Sequence, residues 1–77
     1  MYVLEFTLDG KNYLIDKNKS YKNVKIPYDL LNGEGRLFTS ITPNSVMRVR
    51  NTDTGQVLGA VKNGRNIQDK SHRAYRA

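Results

Sequence analysis

The chain has 77 residues, with 13 Lys and Arg against 7 Asp and Glu, and its formal net charge is +6 at pH 7. This length suits one small domain with a small core, and the absence of cysteine excludes disulfides, thiolate metal sites and a cysteine nucleophile. No apolar run is long enough for a transmembrane helix, and the start of the chain lacks the pattern of a signal peptide, so we expect a cytoplasmic protein without membrane contact.

The start of the chain predicts a β-hairpin. Large apolar side chains alternate with smaller or polar ones, which is the period-two pattern of a half-buried strand. The Asp-Gly pair at 9–10 supplies residues that tolerate the positive φ of a type I′ turn. This turn pairs Phe6 with Tyr13 and, further from the turn, Leu4 with Ile15, so that like side chains face each other.

The segment after this hairpin predicts a loop and a short helix. Residues 17–25 hold four lysines and no acid, and we expect a solvated loop that leads into a strand over 22–26. Pro27 suits the first turn of a short helix over 27–31, and the Asn-Gly pair at 32–33 ends that helix.

The second half predicts further strands, over 36–41, 46–52 and 56–61. Gly55 takes the left-handed conformation in the turn between the last two strands, and Gly59 marks a bend or bulge. Short strands at this spacing predict a mostly β fold, a small antiparallel barrel or sheet of five or six strands with one short helical turn.

We place a compact β domain at residues 1–64 and a basic C-terminal tail at 65–77. The tail holds four Lys and Arg residues, one acid and two sizeable apolar residues, which is too little apolar surface for a core. No stretch carries a family signature, and the predicted domain resembles SH3-like and OB-type barrels in architecture only.

Three clusters of positive charge are the strongest functional signal. Residues 17–25 contain four lysines, two arginines project from one face of a predicted strand, and the tail contains four further Lys and Arg residues. Such surfaces attract phosphate backbones, and tyrosines among them stack on unpaired bases. We therefore expect a non-enzymatic nucleic-acid-binding protein that favours single-stranded RNA over DNA. The predicted contact residues are Lys17, Lys19, Tyr21, Lys22, Lys25, Arg48, Arg50, Arg65, Lys70, Arg73, Tyr75 and Arg76.

Other interpretations stay open. A charged face also serves solubility alone, and Arg48 and Arg50 on an outward strand face commonly pair with an acid, for which Glu5 and Asp16 are candidates. The alternative function is an inhibitor or antitoxin-like protein that docks on an acidic or nucleic-acid-binding protein. The small, basic, cysteine-free format is similar to bacteriophage accessory proteins that inhibit host or defence factors. Unpaired edge strands also offer a route to a homodimer.

The sequence predicts no catalytic residues, no cofactor and no metal site. His72 is the single histidine, and the predicted tail around it does not hold catalytic groups to the tolerance that chemistry needs. No two carboxylates have a spacing suited to general acid-base catalysis.

Overall fold

The computed structural model describes residues 1–68, which form a five-stranded antiparallel sheet with one long helix packed on it. The order across the sheet is β2-β1-β3-β4-β5, and the sheet is open, with β2 and β5 at its edges. The mostly β class and the antiparallel sheet are confirmed, whereas closure into a barrel is wrong. The elements in chain order are β1 (Tyr2–Leu8), β2 (Lys11–Asn18), α1 (Tyr21–Ile41), β3 (Ser45–Asn51), β4 (Val57–Lys62) and β5 (Arg65–Gln68).

The β1–β2 hairpin forms with the predicted turn. The two turn residues have φ values of +50° and +83°, as a type I′ turn requires. Phe6 pairs with Tyr13 as predicted. Further from the turn, β2 contains one extra residue that forms a bulge, so Leu4 pairs with Asp16 in place of Ile15.

The helix is the largest departure from the sequence prediction. One 21-residue helix occupies the segment that was expected to contain a loop, a strand over 22–26, a short helix over 27–31 and a strand over 36–41. Pro27 lies inside the helix, although it cannot donate the interior hydrogen bond that another residue would make. Packing of one helical side stabilises the helix instead, and its buried residues are Tyr21, Val24, Tyr28, Gly35 and Thr39.

Two of these buried positions, Gly35 and Thr39, lack large apolar side chains. The sequence therefore does not show the apolar period of a helix. A Cβ atom on Gly35 would lie 2.9 Å from Cε of Met47, so glycine allows the helix to approach β3 closely. Meanwhile, six large apolar residues of the helix are exposed. Ile26, Leu30, Leu37 and Ile41 are more than half exposed, and Leu31 and Phe38 are 37% and 40% exposed. The positions of the large apolar residues in this segment therefore do not predict which side of the helix faces the core.

The core lies between α1 and strands β1, β3 and β4. Edge-to-face ring pairs extend it on both sides, with centroids 5.6 Å apart for Tyr2 and Tyr21 and 5.2 Å apart for Phe6 and Phe38. The buried cluster consists of Leu4, Tyr21, Val24, Tyr28, Met47, Val49, Leu58 and Val61.

Both glycine predictions in the β3–β4 hairpin are confirmed. Gly55 has a φ of +76° in the connecting turn. The pairing of β4 with β3 shifts by one residue between Gly59 and Val57, so β4 bulges at Leu58. The bulge allows Leu58 to join the core cluster.

The sheet continues beyond the predicted domain boundary, because residues 65–68 pair with β4 as β5. These four residues belong to the sheet and not to a tail. The turn before them packs against the helix, since the Gly64 N–H donates to Oγ1 of Thr39 at 3.0 Å. The rest of the predicted tail, residues 69–77, lies outside the described residues.

Two glycine substitutions test the packing of the helix, and we expect them to change the free energy of unfolding in opposite directions. We expect Gly64→Ala to lower the free energy of unfolding by about 1–3 kcal/mol, because alanine is strained at positive φ. Its Cβ would also lie 2.9 Å from Cβ of Ser40 and 3.3 Å from the carbonyl oxygen of Arg36. Gly33 lies in the helix with open space around it, so Gly33→Ala should raise that free energy by about 0.5–1 kcal/mol.

Urea unfolding followed by circular dichroism at low protein concentration measures both changes. A Gly64→Ala protein as stable as the wild type would contradict the packing of the β4–β5 turn against the helix.

Candidate nucleic-acid interface

The face of the sheet opposite α1, here called the open face, is covered by no helix or strand of residues 1–68. Residues directly opposite each other in antiparallel strands share a face, so the register assigns its side chains. Three rows cross the open face. They are Leu14, Glu5, Arg48, Ala60 and Ile67; Lys17, Val3, Arg50 and Val57; and Asn12, Thr7, Val46, Lys62 and Arg65.

Positive charge dominates this face. With strands ~4.8 Å apart and ~6.7 Å between alternate residues of a strand, the rows cover a patch of about 20 by 13 Å. One carboxylate, that of Glu5, lies among five cations: Lys17, Arg48, Arg50, Lys62 and Arg65.

Glu5 holds the two central arginines in place. It is only 5% exposed, and its carboxylate accepts hydrogen bonds from Nε and Nη2 of Arg50 at 3.0 and 3.1 Å. The same carboxylate accepts a hydrogen bond from Nε of Arg48. Glu5 is thus confirmed as the cross-strand partner of both arginines, whereas Asp16 lies opposite Leu4 on the helix side of the sheet.

The electrostatics of this cluster favour the charged forms of Glu5 and Arg50. The hydrogen bond from Arg50 lowers the pKa of the Glu5 carboxyl most; burial opposes this effect and Arg48 adds to it. Glu5 in turn raises the pKa of Arg50 above its ordinary value. The arginine side chains remain 27% and 32% exposed, and Glu5 leaves Nη donors of both unused. Glu5 already fixes the orientation of both arginine side chains. An anion that binds them therefore loses little free energy to the ordering of these side chains.

Four of the predicted contact residues come together on the open face, namely Lys17, Arg48, Arg50 and Arg65. A fifth cation, Lys62, pairs with Arg65 but was not predicted. Lys62 lies two residues after Ala60 on β4, and residues two apart on a strand share a face. This spacing is the sequence signal that would have placed Lys62 on the open face. The predicted tail contacts Lys70, Arg73, Tyr75 and Arg76 lie outside the described residues.

The lysine-rich segment lies mostly away from the open face. Lys22 and Lys25 belong to α1, on the opposite side of the sheet, and Lys25 pairs with the carboxylate of Asp29. Lys19 precedes the helix. The contact predicted for Tyr21 stays a prediction, and in this structure Tyr21 is only 3% exposed and packs in the core. A preference for single strands therefore draws no support from Tyr21.

No protein-family model, curated protein or solved structure matches this chain. Across residues 1–68, no helix combines the length and apolar character needed to cross a membrane. The same part of the chain contains no group of three or more His, Cys, Asp or Glu residues arranged to hold a metal ion.

Replacing Glu5 tests the cluster. We expect Glu5→Gln to lower the free energy of unfolding at neutral pH by about 1–3 kcal/mol, because two guanidinium groups lose their charged partner. In the wild type, the lowered pKa of Glu5 adds stability above its unfolded-state pKa, near 4.5, and this stability is lost as the pH falls through the lower folded-state pKa. Thermal unfolding between about pH 2 and 7 should therefore depend less on pH in the variant.

Asp53→Asn is the matched control, because Asp53 forms an exposed ion pair with the N-terminal amine at 3.1 Å. Its loss should change the free energy of unfolding by less than about 0.5 kcal/mol. The same pH profile in wild type and Glu5→Gln would contradict the role assigned to Glu5.

Proposed function

We propose that this protein is a non-enzymatic nucleic-acid-binding protein whose open face contacts phosphate groups. The carrying observation is the pair of arginines fixed by Glu5 at the centre of that face. Guanidinium groups present several N–H donors in a planar fork that matches phosphate oxygens. The outlying Lys17, Lys62 and Arg65 extend the positive potential around this centre, which attracts a polyanion over a distance.

The proposed contacts are made to the backbone and not by base stacking. Among the described residues, the open face holds no aromatic side chain, and its exposed apolar residues are Leu14, Val57 and Ile67. Aromatic rings are the usual platforms on which unpaired bases stack. We therefore expect binding that depends strongly on salt and weakly on base sequence. Single-stranded RNA, the expected partner, is tested beside duplex RNA and duplex DNA.

Two triple variants with the same change in net charge test the open face. The face variant is Lys17→Gln, Lys62→Gln and Arg65→Gln. The control variant is Lys11→Gln, Lys19→Gln and Lys22→Gln, which alters cations outside that face. Both spare the two central arginines, so the Glu5 cluster stays intact.

Fluorescence anisotropy gives the affinity of each protein for the three nucleic acids between about 50 and 200 mM salt. Each lost phosphate contact removes about 0.7–0.9 from the slope of log affinity against log salt, so we expect the face variant to lose about 2–3 units. The control variant should keep a slope close to that of the wild type.

Equal losses in the two variants would mean that net charge alone drives binding, and would contradict a role for the open face. A wild-type protein that binds none of the three nucleic acids would overturn the proposal. That result would favour the alternative, an inhibitor that docks the same cations on an acidic protein.

A further inference from the structure

The outward side of α1 carries an apolar stripe that no described residue covers. Ile26, Leu30, Leu37 and Ile41 are 55%, 75%, 66% and 73% exposed. Their spacing places them along one side of the helix, directly opposite the side that faces the core. Gly33 lies in the middle of the stripe, with open space where a Cβ would be. A continuous exposed apolar surface of this kind usually marks an interaction site.

We propose that the apolar stripe is the interface of a homodimer, in which α1 packs antiparallel against α1 of a second copy. A two-fold contact uses the same surface on both subunits, so that surface must be complementary to itself. The stripe meets this condition because its spacing is the same in both directions. Antiparallel pairing places Ile26 against Ile41 of the second copy and Leu30 against Leu37, with the two-fold axis beside Gly33. Glycine at that position allows the helices to approach closely.

The charges beside the stripe support the same arrangement. Asp29 and Arg36 lie on one flank of the stripe, and antiparallel two-fold pairing brings that flank against its own copy. Asp29 then lies only ~3 Å along the helix axis from Arg36 of the second copy, within reach of a long arginine side chain. Arg36 forms no ion pair among residues 1–68, and Asp29 stays 51% exposed beside Lys25. The dimer would therefore gain two ion pairs related by symmetry.

The size of the contact sets its strength. From Ile26 to Ile41 the helix rises ~22 Å, and a helix is about 10 Å wide, so the interface is much smaller than the ~800 Å² per partner of a standard complex. Each copy also has a net charge of +6, which opposes association. We therefore expect a weak dimer that becomes tighter as added salt screens this repulsion.

The dimer leaves both open faces accessible, because α1 lies on the opposite side of each sheet. If the proposed function holds, on which this consequence rests, one dimer presents two cationic faces that point apart and can bind two phosphate backbones. The dimer itself does not depend on nucleic acid.

Sedimentation equilibrium of the full chain measures the dimer directly, as a rise of the average mass from 8.8 kDa towards twice that value. We expect the Leu30→Gln, Leu37→Gln variant to weaken the dimer by about tenfold or more. Both side chains are exposed, so its circular dichroism spectrum should not change. The matched control is Leu14→Gln, Ile67→Gln, which removes two apolar residues of 59% and 55% exposure from the open face and should keep the wild-type dimer.

A charge exchange tests the antiparallel register. Arg36→Asp places a carboxylate against Asp29 of the second copy and should weaken the dimer, whereas adding Asp29→Arg should restore it. Failure of the double exchange to restore association would overturn this register. A wild-type chain that is monomeric at about 1 mM would overturn the homodimer, and a dimer lost in the open-face control alone would overturn the apolar stripe as its interface.

The two proposals fail separately. Raising the salt concentration weakens nucleic-acid binding but should strengthen the dimer. A monomer that still binds RNA or DNA would overturn the dimer alone, and a dimer that binds neither would overturn the proposed function alone.

Discussion

A single helix packs on a sheet that is wider than the helix, and this constraint determines which surfaces the protein exposes. A helix with its side chains is about 10 Å wide, whereas five strands at ~4.8 Å spacing are about twice as wide. The helix therefore buries only the middle of one face, where Leu4, Val49 and Val61 are fully enclosed. The outer edges of β2 and β5, the open face and the outward side of the helix are covered by no other element of residues 1–68.

The arginines of the Glu5 cluster shield small apolar residues of the open face from water. Val3 and Ala60 on this face are only 7% and 9% exposed, and their neighbours across the register are Arg50 and Arg48. The aliphatic stems of long cationic side chains can shield such small apolar residues while the charged ends stay in water. The same pairing therefore serves stability and presents guanidinium groups at the surface. Lysine would not replace these arginines, since it lacks the planar fork that Glu5 engages.

Local features could be predicted from the sequence, and features set by tertiary packing could not. The turn at 9–10 depends on the φ preferences of two adjacent residues, and Arg48 and Arg50 share a face because they lie two apart on one strand. The sequence did not predict the long helix because its core side includes Gly35. The reason for a glycine at this position is the close approach of Met47, which only the tertiary structure shows. Lysines of residues 17–25 are close in sequence but separate in space, because a strand ends and a helix begins within that segment.

The two exposed surfaces are also linked through charge, although the sheet lies between them. Net positive charge opposes the pairing of two copies through the apolar stripe. Phosphate groups bound at the open faces would neutralise part of that charge and reduce the repulsion. Under the two proposals together, nucleic acid and a second copy therefore favour each other's binding, and linkage requires the effect to be equal in both directions. Such coupling needs no change in shape, because electrostatic repulsion between the copies acts over a Debye length of roughly 8–10 Å.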